Sequence, residues 1–186
     1  MRLSLEHKQM KSKHDLIKRQ NVSEQGPRIV SCLSGGMMRD RSVAIVVRDR
    51  KVLMVQVRYD GRNFWQAPGG GVEAGETAEE AALRELQEEC NLLGEIIKPL
   101  SVATYPDGSR ETSFLIRVSE EQDALKGFDP EFPLDDQPLQ QVRWMALSEL
   151  GEKDRAFLWQ HGLMLVDGFW EEVCSWGDEI SYPKGK

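Results

Sequence analysis

Hydrophobic and polar positions become regular along the chain only from Ser42 onward. The β-branched stretches SVAIVVRD (42–49) and KVLMVQVRY (51–59) predict two strands with a basic turn between them. Two more strands are predicted over 95–105 and 110–118, because the sequence PDGS that separates them is typical of a turn. Both pairs of strands are compatible with hairpins.

One strong helix is predicted between these strand pairs, over the stretch TAEEAALRELQEEC that begins at Thr77. The stretch is rich in good helix formers, and Thr77 together with Glu80 matches a capping box. At a helical rotation of ~100° per residue, several apolar residues share one side of the helix. We expect this side to face the core, with the residues Ala82, Leu86, Cys90 and Leu93.

Less regular sequence lies on both sides of these elements. Residues 119–140 are acidic and contain three prolines, which predicts a loop. The segment QVRWMAL that follows predicts a strand, and the apolar stripes after Ser148 predict helices. Residues 1–41 show no clear period and carry nine basic against four acidic residues. We expect 1–41 to be a basic N-terminal extension, either a tail, a partner-binding arm or an incidental segment, ahead of a domain over 42–186.

Composition and charge narrow the class of protein. The 186 residues are 40% hydrophobic and 30% charged, as is typical of a soluble globular protein. No apolar run approaches the ~20 residues of a membrane span, so no membrane partner is expected. A formal net charge of −7 argues against a dedicated nucleic-acid binder. Three cysteines without a disulfide framework or zinc spacing indicate a cytoplasmic location.

The predicted helix carries three carboxylates on one side. Glu85, Glu88 and Glu89 fall within about a 100° arc. Like charges at these spacings repel one another, and the second half of a helix favours cations rather than anions. Arg84 is the only basic residue in the helix. A divalent cation such as Mg²⁺ or Mn²⁺, which prefers oxygen ligands, would relieve this repulsion.

A glycine-rich loop precedes the same helix. The glycines at 69–71 allow a ligand to approach the main chain closely. Gly75 and Glu76 follow at the start of the helix, where free N–H groups can bind anions. The glycine loop, the capped helix and the carboxylates therefore meet in one place. This combination suits a phosphate ester held by metal ions.

The residues from Gly70 to Leu92 resemble the Nudix box, G-x5-E-x7-R-E-U-x-E-E-x-G-U, in which U is a bulky aliphatic residue. One position differs, because Asn91 stands where the family has its last glycine. Asparagine tolerates left-handed backbone angles better than most residues, so we expect the turn after the helix to be kept. The resemblance implies an α/β protein, an α/β/α sandwich around a mixed β-sheet.

The resemblance also implies an activity. Nudix hydrolases cleave the pyrophosphate bond of a nucleoside diphosphate linked to another moiety, with Mg²⁺ or Mn²⁺. By motif position, Glu85, Glu88 and Glu89 would bind the metal, and the backbone carbonyl of Gly69 would be a further ligand.

Three catalytic roles follow from the same comparison. Arg84 would hold the glutamates in place by ion pairing, and Glu76 would be a supporting acid. Glu89 is our preferred general base. Gln141 cannot act as a base, although relatives often have glutamate at this position. Acids outside the box stay open as alternatives for the base: Glu111, Glu131, Asp135 and Asp136.

Several alternative functions stay open. The basic segment 1–41 is compatible with an RNA 5′-end pyrophosphohydrolase, because basic residues add salt-sensitive affinity for nucleic acid. A non-catalytic nucleotide sensor would usually have lost box glutamates, and this chain keeps them. An isoprenoid diphosphate isomerase needs a cysteine–glutamate pair that the sequence does not identify. A homodimer also stays open, since many relatives form one.

Overall fold

The structure, a computed structural model, describes residues 39–130 and 132–175. The predicted extension 1–41 lies outside these residues except for its last three, and the candidate base Glu131 also lies outside them. The strands and helices of the described part follow one another in this order: β1 (Arg41–Arg48), β2 (Lys51–Tyr59), β3 (Arg62–Gln66), β4 (Gly69–Gly71), α1 (Ala78–Cys90), β5 (Gly94–Thr104), β6 (Arg110–Val118), β7 (Leu139–Met145), α2 (Glu152–Gln160) and α3 (Phe169–Ser175).

Strand β1 is the centre of a mixed sheet, whose main order is β3-β2-β1-β6-β5. It pairs antiparallel with β2 at its end and parallel with β6 along most of its length. The short glycine strand β4 pairs antiparallel with the first three residues of β1. Strand β7 lies outside this order and pairs antiparallel with β2. The glycine-rich loop is therefore fastened to the beginning of the central strand.

Alternate residues of β1 face two separate cores, as expected from the period of a strand. Ala44 and Val46 pack in the core that contains Leu86 of α1. Val43 and Ile45 pack in the core formed with the C-terminal helices. The sheet thus lies between α1 on one face and α2 with α3 on the other. This arrangement confirms the predicted α/β/α sandwich with a mixed sheet.

Helix α1 begins and ends through local interactions. The Thr77 side chain accepts a hydrogen bond from the Glu80 backbone, and the Glu80 side chain accepts one from the Thr77 backbone, so the predicted capping box is present. At the other end, Asn91 adopts left-handed angles (φ 56°, ψ 36°), and its N–H donates to Gln87. The prediction that Leu93 faces the core is wrong. Leu93 is 64% exposed, because the left-handed residue changes the phase of the chain and Leu92 is buried instead.

None of the helices in the ranges 39–130 and 132–175 combines the length and apolar character that crossing a bilayer requires.

The left-handed angle at position 91 makes this residue sensitive to substitution. We expect Asn91→Gly to leave stability and activity little changed, because glycine adopts these angles without a Cβ clash. Asn91→Val should lower the free energy of unfolding by about 1–2 kcal/mol, the cost of a left-handed β-branched residue. Urea denaturation of both variants measures the difference. Equal stability of the glycine and valine variants would contradict the angle assigned here.

Candidate active site

The glycine strand β4 lies directly against the carboxylate side of α1. A Cβ atom on Gly70 would collide with the Glu85 carboxylate, and one on Gly69 would collide with the Ser42 carbonyl. Ser42 also fastens β1 to the first turn of α1, because its hydroxyl donates to the Ala78 carbonyl at 2.6 Å. Only glycine allows the backbone to come so close to a carboxylate here.

The Arg84 guanidinium connects the loop to the helix carboxylates. Its Nε and Nη2 atoms donate to both oxygens of Glu76 at 2.9 and 3.0 Å, a bidentate pair. Its Nη1 atom donates to Glu85 at 2.9 Å and to Glu88 at 3.1 Å. Nη2 also donates to the carbonyl of Gly71 at 2.9 Å. The hydrogen bonds from Arg84 are the main reason that the pKa of Glu76 is lowered.

Glu89 is buried although it is charged in its ordinary state. Its side chain lies between α1 and β4, with Oε2 accepting a hydrogen bond of 2.9 Å from the N–H of Gly69, and the residue is only 5% exposed. Burial, followed by the charge of Glu85, raises the pKa of Glu89 well above its usual value. The Gly69 hydrogen bond and the charge of Arg41 oppose this rise.

Glu85 is the second strongly perturbed carboxyl group. Burial raises its pKa to about 7, although the ion pair with Arg84 works in the opposite direction. The charge of Glu88 contributes a smaller rise. Two neighbouring carboxyl groups with raised pKa values in a glycine-lined site are typical of functional chemistry.

A fourth acid, Asp129, was missed by the sequence reasoning. The loop that carries it caps the end of α1 with backbone N–H groups. Gly127 donates to the Glu89 carbonyl at 3.0 Å, and Phe128 donates to the Glu88 carbonyl at 3.1 Å. A Cβ atom on Gly127 would collide with that Glu88 carbonyl. The single glycine in this stretch of the acidic loop was the available signal for such a close contact.

The docked loop brings the charge of Asp129 to the helix carboxylates. After the larger effect of burial, this charge adds to the raised pKa values of both Glu85 and Glu89. The backbone of Asp129 is held on both sides by Gln137. Its N–H donates to Gln137 Oε1 at 2.7 Å, and its carbonyl accepts from Gln137 Nε2 at 3.0 Å.

The structure does not bring three of the other candidate bases to this place. Asp135 and Asp136 are exposed, and Asp136 makes only a long ion pair of 3.8 Å with Arg58. Glu111 lies on β6 next to Arg41, on the face of the sheet opposite α1. Gln141 is exposed on β7. Among the described acids outside the box, Asp129 is therefore the one whose charge acts on both Glu85 and Glu89.

The donor set fits a hard divalent cation. The side chains of Glu85, Glu88 and Glu89 supply only oxygen, and the crowding of two buried carboxylates is relieved by positive charge. The space at Gly70, which a Cβ atom would fill, keeps one carboxylate accessible from the loop. Within residues 39–130 and 132–175, however, no three acidic, histidine or cysteine side chains already converge as an ion site. Glu85 and Glu88 instead engage Arg84.

Comparison with known proteins assigns the family. The family model for the NUDIX domain matches residues 38–165, well over half of the chain. The chain belongs to the Nudix family. The Nudix box of this chain thus comprises the loop and helix described above, from Gly70 to Leu92.

Relatives of this Nudix chain match it only in part. An RNA pyrophosphohydrolase from Sulfurovum sp. (strain NBC37-1) is 43% identical in a 91-residue alignment, and the match covers 40% of this chain and 58% of that protein. An ADP-ribose pyrophosphatase from Methanocaldococcus jannaschii is 38% identical over 64 residues, 34% of this chain and 38% of that protein. The chain therefore spans less than two thirds of the length of these relatives.

A solved structure shows the same fold. The crystal structure of a NUDIX hydrolase from Nitrosomonas europaea has a TM-score of 0.55 and 21% sequence identity. The match covers 83% of this chain and 81% of that one.

The raised pKa of Glu85 predicts a pH-dependent stability of the Nudix domain without metal. Because the folded state favours the protonated acid, this contribution is present below the unfolded pKa of 4.5 and is lost as the pH rises through about 7. We expect Glu85→Gln to raise the Tm relative to the original chain by several degrees more at about pH 8 than at about pH 5. Thermal denaturation in EDTA measures this difference.

The matched control is Glu95→Gln, because Glu95 forms an exposed ion pair with Arg117. This variant should shift the Tm by the same small amount at both pH values. A pH-independent shift for Glu85→Gln would contradict the raised pKa of Glu85 in the metal-free protein.

Proposed function

We propose that this chain hydrolyses the pyrophosphate bond of a nucleoside diphosphate linked to another moiety, with Mg²⁺ or Mn²⁺ as cofactor. The observation that carries the proposal is the packing of Gly69 and Gly70 against the buried carboxyl group of Glu89 and the partly buried one of Glu85. This packing combines a backbone that a phosphate can approach with oxygen ligands for a cation. Membership of the Nudix family supports the same reaction class.

The metal would be held by Glu85, Glu88 and Glu89, with the Gly69 carbonyl as a further ligand. A bound divalent cation supplies Lewis-acid chemistry, which neutralises phosphate oxygens and lowers the pKa of water. Arg84 forms ion pairs with Glu85 and Glu88, so its proposed role is to position them. Glu76 holds Arg84 from the loop side through the bidentate pair.

The proposed base is Glu89. Its Oε2 atom is fixed by the Gly69 N–H, which leaves Oε1 to accept a proton from the attacking water. A raised pKa makes this carboxylate a stronger base near neutral pH. The water oxygen forms a new bond to phosphorus, the P–O bond to the leaving phosphate breaks, and the proton goes to Glu89. Asp129 is the acid outside the box that we place beside this group.

A second candidate is removal of pyrophosphate from the 5′ end of RNA. The relative from Sulfurovum is named an RNA pyrophosphohydrolase, and its identity to this chain is 43% over the matched residues. RNA and small nucleotides would bind at the same site, formed around the metal-binding carboxylates. Strong dependence of KM on salt, because of the phosphate backbone, would distinguish RNA from a small nucleotide.

Glu88→Gln and Glu89→Gln should each lower kcat by at least about 100-fold, because each removes a negatively charged oxygen from the site. Both should stay folded, since glutamine keeps the size of the side chain. The matched control is Glu79→Gln, an exposed residue of the same helix, which should keep full activity. Full activity of either box variant would overturn the assignment of the site.

Substrates should be compared with the original chain and Glu89→Gln in Mg²⁺, Mn²⁺ or EDTA. The panel contains ADP-ribose, nucleotide sugars, dinucleoside polyphosphates, nucleoside triphosphates and 5′-triphosphorylated RNA, with phosphate measured after coupling to a phosphatase. We expect metal-dependent turnover of one class, absent from Glu89→Gln. Binding of a nucleotide without turnover of any of them would favour a nucleotide sensor instead.

Asp129→Asn should lower kcat by at least about 10-fold without changing the Tm by more than a few degrees, since it removes a charge next to Glu85 and Glu89. Asp135→Asn changes an exposed acid of the same loop and serves as the control. Steady-state kinetics on the substrate identified above compares the two variants. Equal kinetics of both would remove Asp129 from the site.

A further inference from the structure

Arg41 occupies a position between the glycine strand and a buried acid. In the sheet, it pairs with Gly71 of β4 on one side and with Glu111 of β6 on the other. The Arg84 guanidinium binds the carbonyl of the same Gly71. Arg41 is therefore one strand away from the backbone that contacts the box carboxylates.

The Arg41 guanidinium is held at only one atom. Its Nε lies 3.4 Å from Oε2 of Glu111. Among the described residues, its two η nitrogens donate no hydrogen bond, and the side chain keeps 34% of its exposure. Arg84 is the opposite case, because all five of its N–H groups have acceptors among the box residues. Arg84 has no donor left for a substrate.

Glu111 is built into a buried polar network. It is 7% exposed, and the hydroxyl of Tyr105 donates to its Oε1 at 2.8 Å. Nε2 of His161 lies 3.5 Å from the same oxygen and finds no hydrogen-bond partner among the described residues. A carboxylate fixed in this way holds Nε of Arg41 and fixes the direction of the guanidinium. Burying such polar groups is costly unless they are hydrogen-bonded or paired.

The excess of negative charge at the site favours a further positively charged side chain near the substrate. The box carboxylates and Asp129 make the site strongly acidic, whereas the proposed substrate brings a doubly charged pyrophosphate. The charge of Arg41 already reaches Glu89, where it stabilises the carboxylate. A second arginine, Arg39, lies against Gly71, since a Cβ atom there would be 2.8 Å from its guanidinium. The start of β1 therefore forms a cationic rim beside the glycine strand.

We propose that Arg41 binds a non-bridging phosphate oxygen of the substrate's pyrophosphate through its η nitrogens, and that Glu111 and Tyr105 position it. The proposal rests on the proposed function, because it names the group that binds the substrate at the same site. A guanidinium suits this role, since its planar pair of donors matches two phosphate oxygens.

The test measures binding of methylenediphosphonate with Mg²⁺ by isothermal titration calorimetry. This probe has the phosphate oxygens of pyrophosphate but a P–C–P link that water does not cleave. Arg41→Gln should raise its Kd at least about 10-fold, as expected for loss of a charge-assisted hydrogen bond. The Kd of Arg41→Lys should lie between those of the original chain and of Arg41→Gln. The matched control is Arg117→Gln, because Arg117 is an exposed arginine of β6 whose partner is Glu95. The Kd of this variant for the diphosphonate should equal that of the original chain.

Two variants test the positioning network. Tyr105→Phe and Glu111→Gln should each raise the KM for the identified substrate several-fold while kcat stays within about twofold. A role limited to stability would instead lower the Tm and leave KM unchanged. Tyr105→Phe is the milder change, because it removes only the hydroxyl at Oε1 of Glu111.

The outcomes separate this inference from the proposed function. An unchanged Kd for Arg41→Gln, in a protein that hydrolyses a substrate of the panel, overturns the inference alone. Binding that depends on Arg41, in a protein that cleaves none of the panel, overturns the proposed hydrolysis and keeps the inference. Failure of the original chain to bind the diphosphonate with Mg²⁺ overturns the inference.

Discussion

The Arg84 guanidinium cannot move without releasing a loop, a strand and a helix at once. It binds Glu76 of the loop, the carbonyl of Gly71 and the carboxylates of Glu85 and Glu88. Like-charged helix residues at these spacings would otherwise repel one another. One cation thus allows acids to be packed at a density that a helix surface does not normally tolerate. The same hub fixes the glycine strand against the carboxylates, which is the geometry on which the proposed chemistry depends.

The central strand β1 connects the glycine strand and α1 to the rest of the described structure. One of its faces packs on α1 and the other on the C-terminal helices. Its first residues pair with β4 on one side and β6 on the other. Ser42 therefore contacts the acidic helix, while its neighbour Arg41 contacts the buried network around Glu111. A strand of eight residues connects the two halves of the proposed substrate site.

Local patterns were predictable from the sequence, and contacts between distant segments were not. Strands β2 and β6 have the predicted bounds, because alternation and turn residues act over a few positions. The capping box and the left-handed Asn91 also depend only on nearby residues. The exposure of Leu93 was missed, since one left-handed residue changes the phase that a regular helix would have continued. The burial of Glu89 and the presence of Asp129 depend on how the loop folds over the helix end, which no local pattern encodes.

The contact of Gly127 with the helix end has a consequence for the length of the acidic loop. The N–H groups of Leu125, Gly127 and Phe128 donate to carbonyls of the last helical turn, which have no donors within the helix itself. The preceding residues are anchored as well, because Arg48 donates to the carbonyls of Ser119 and Gln122 and the Gln122 side chain exchanges two hydrogen bonds with the Leu93 backbone. A single inserted residue between Leu125 and Asp129 would shift the acid away from the site. The spacing of residues 125–129 is thus as critical as spacing within a helix.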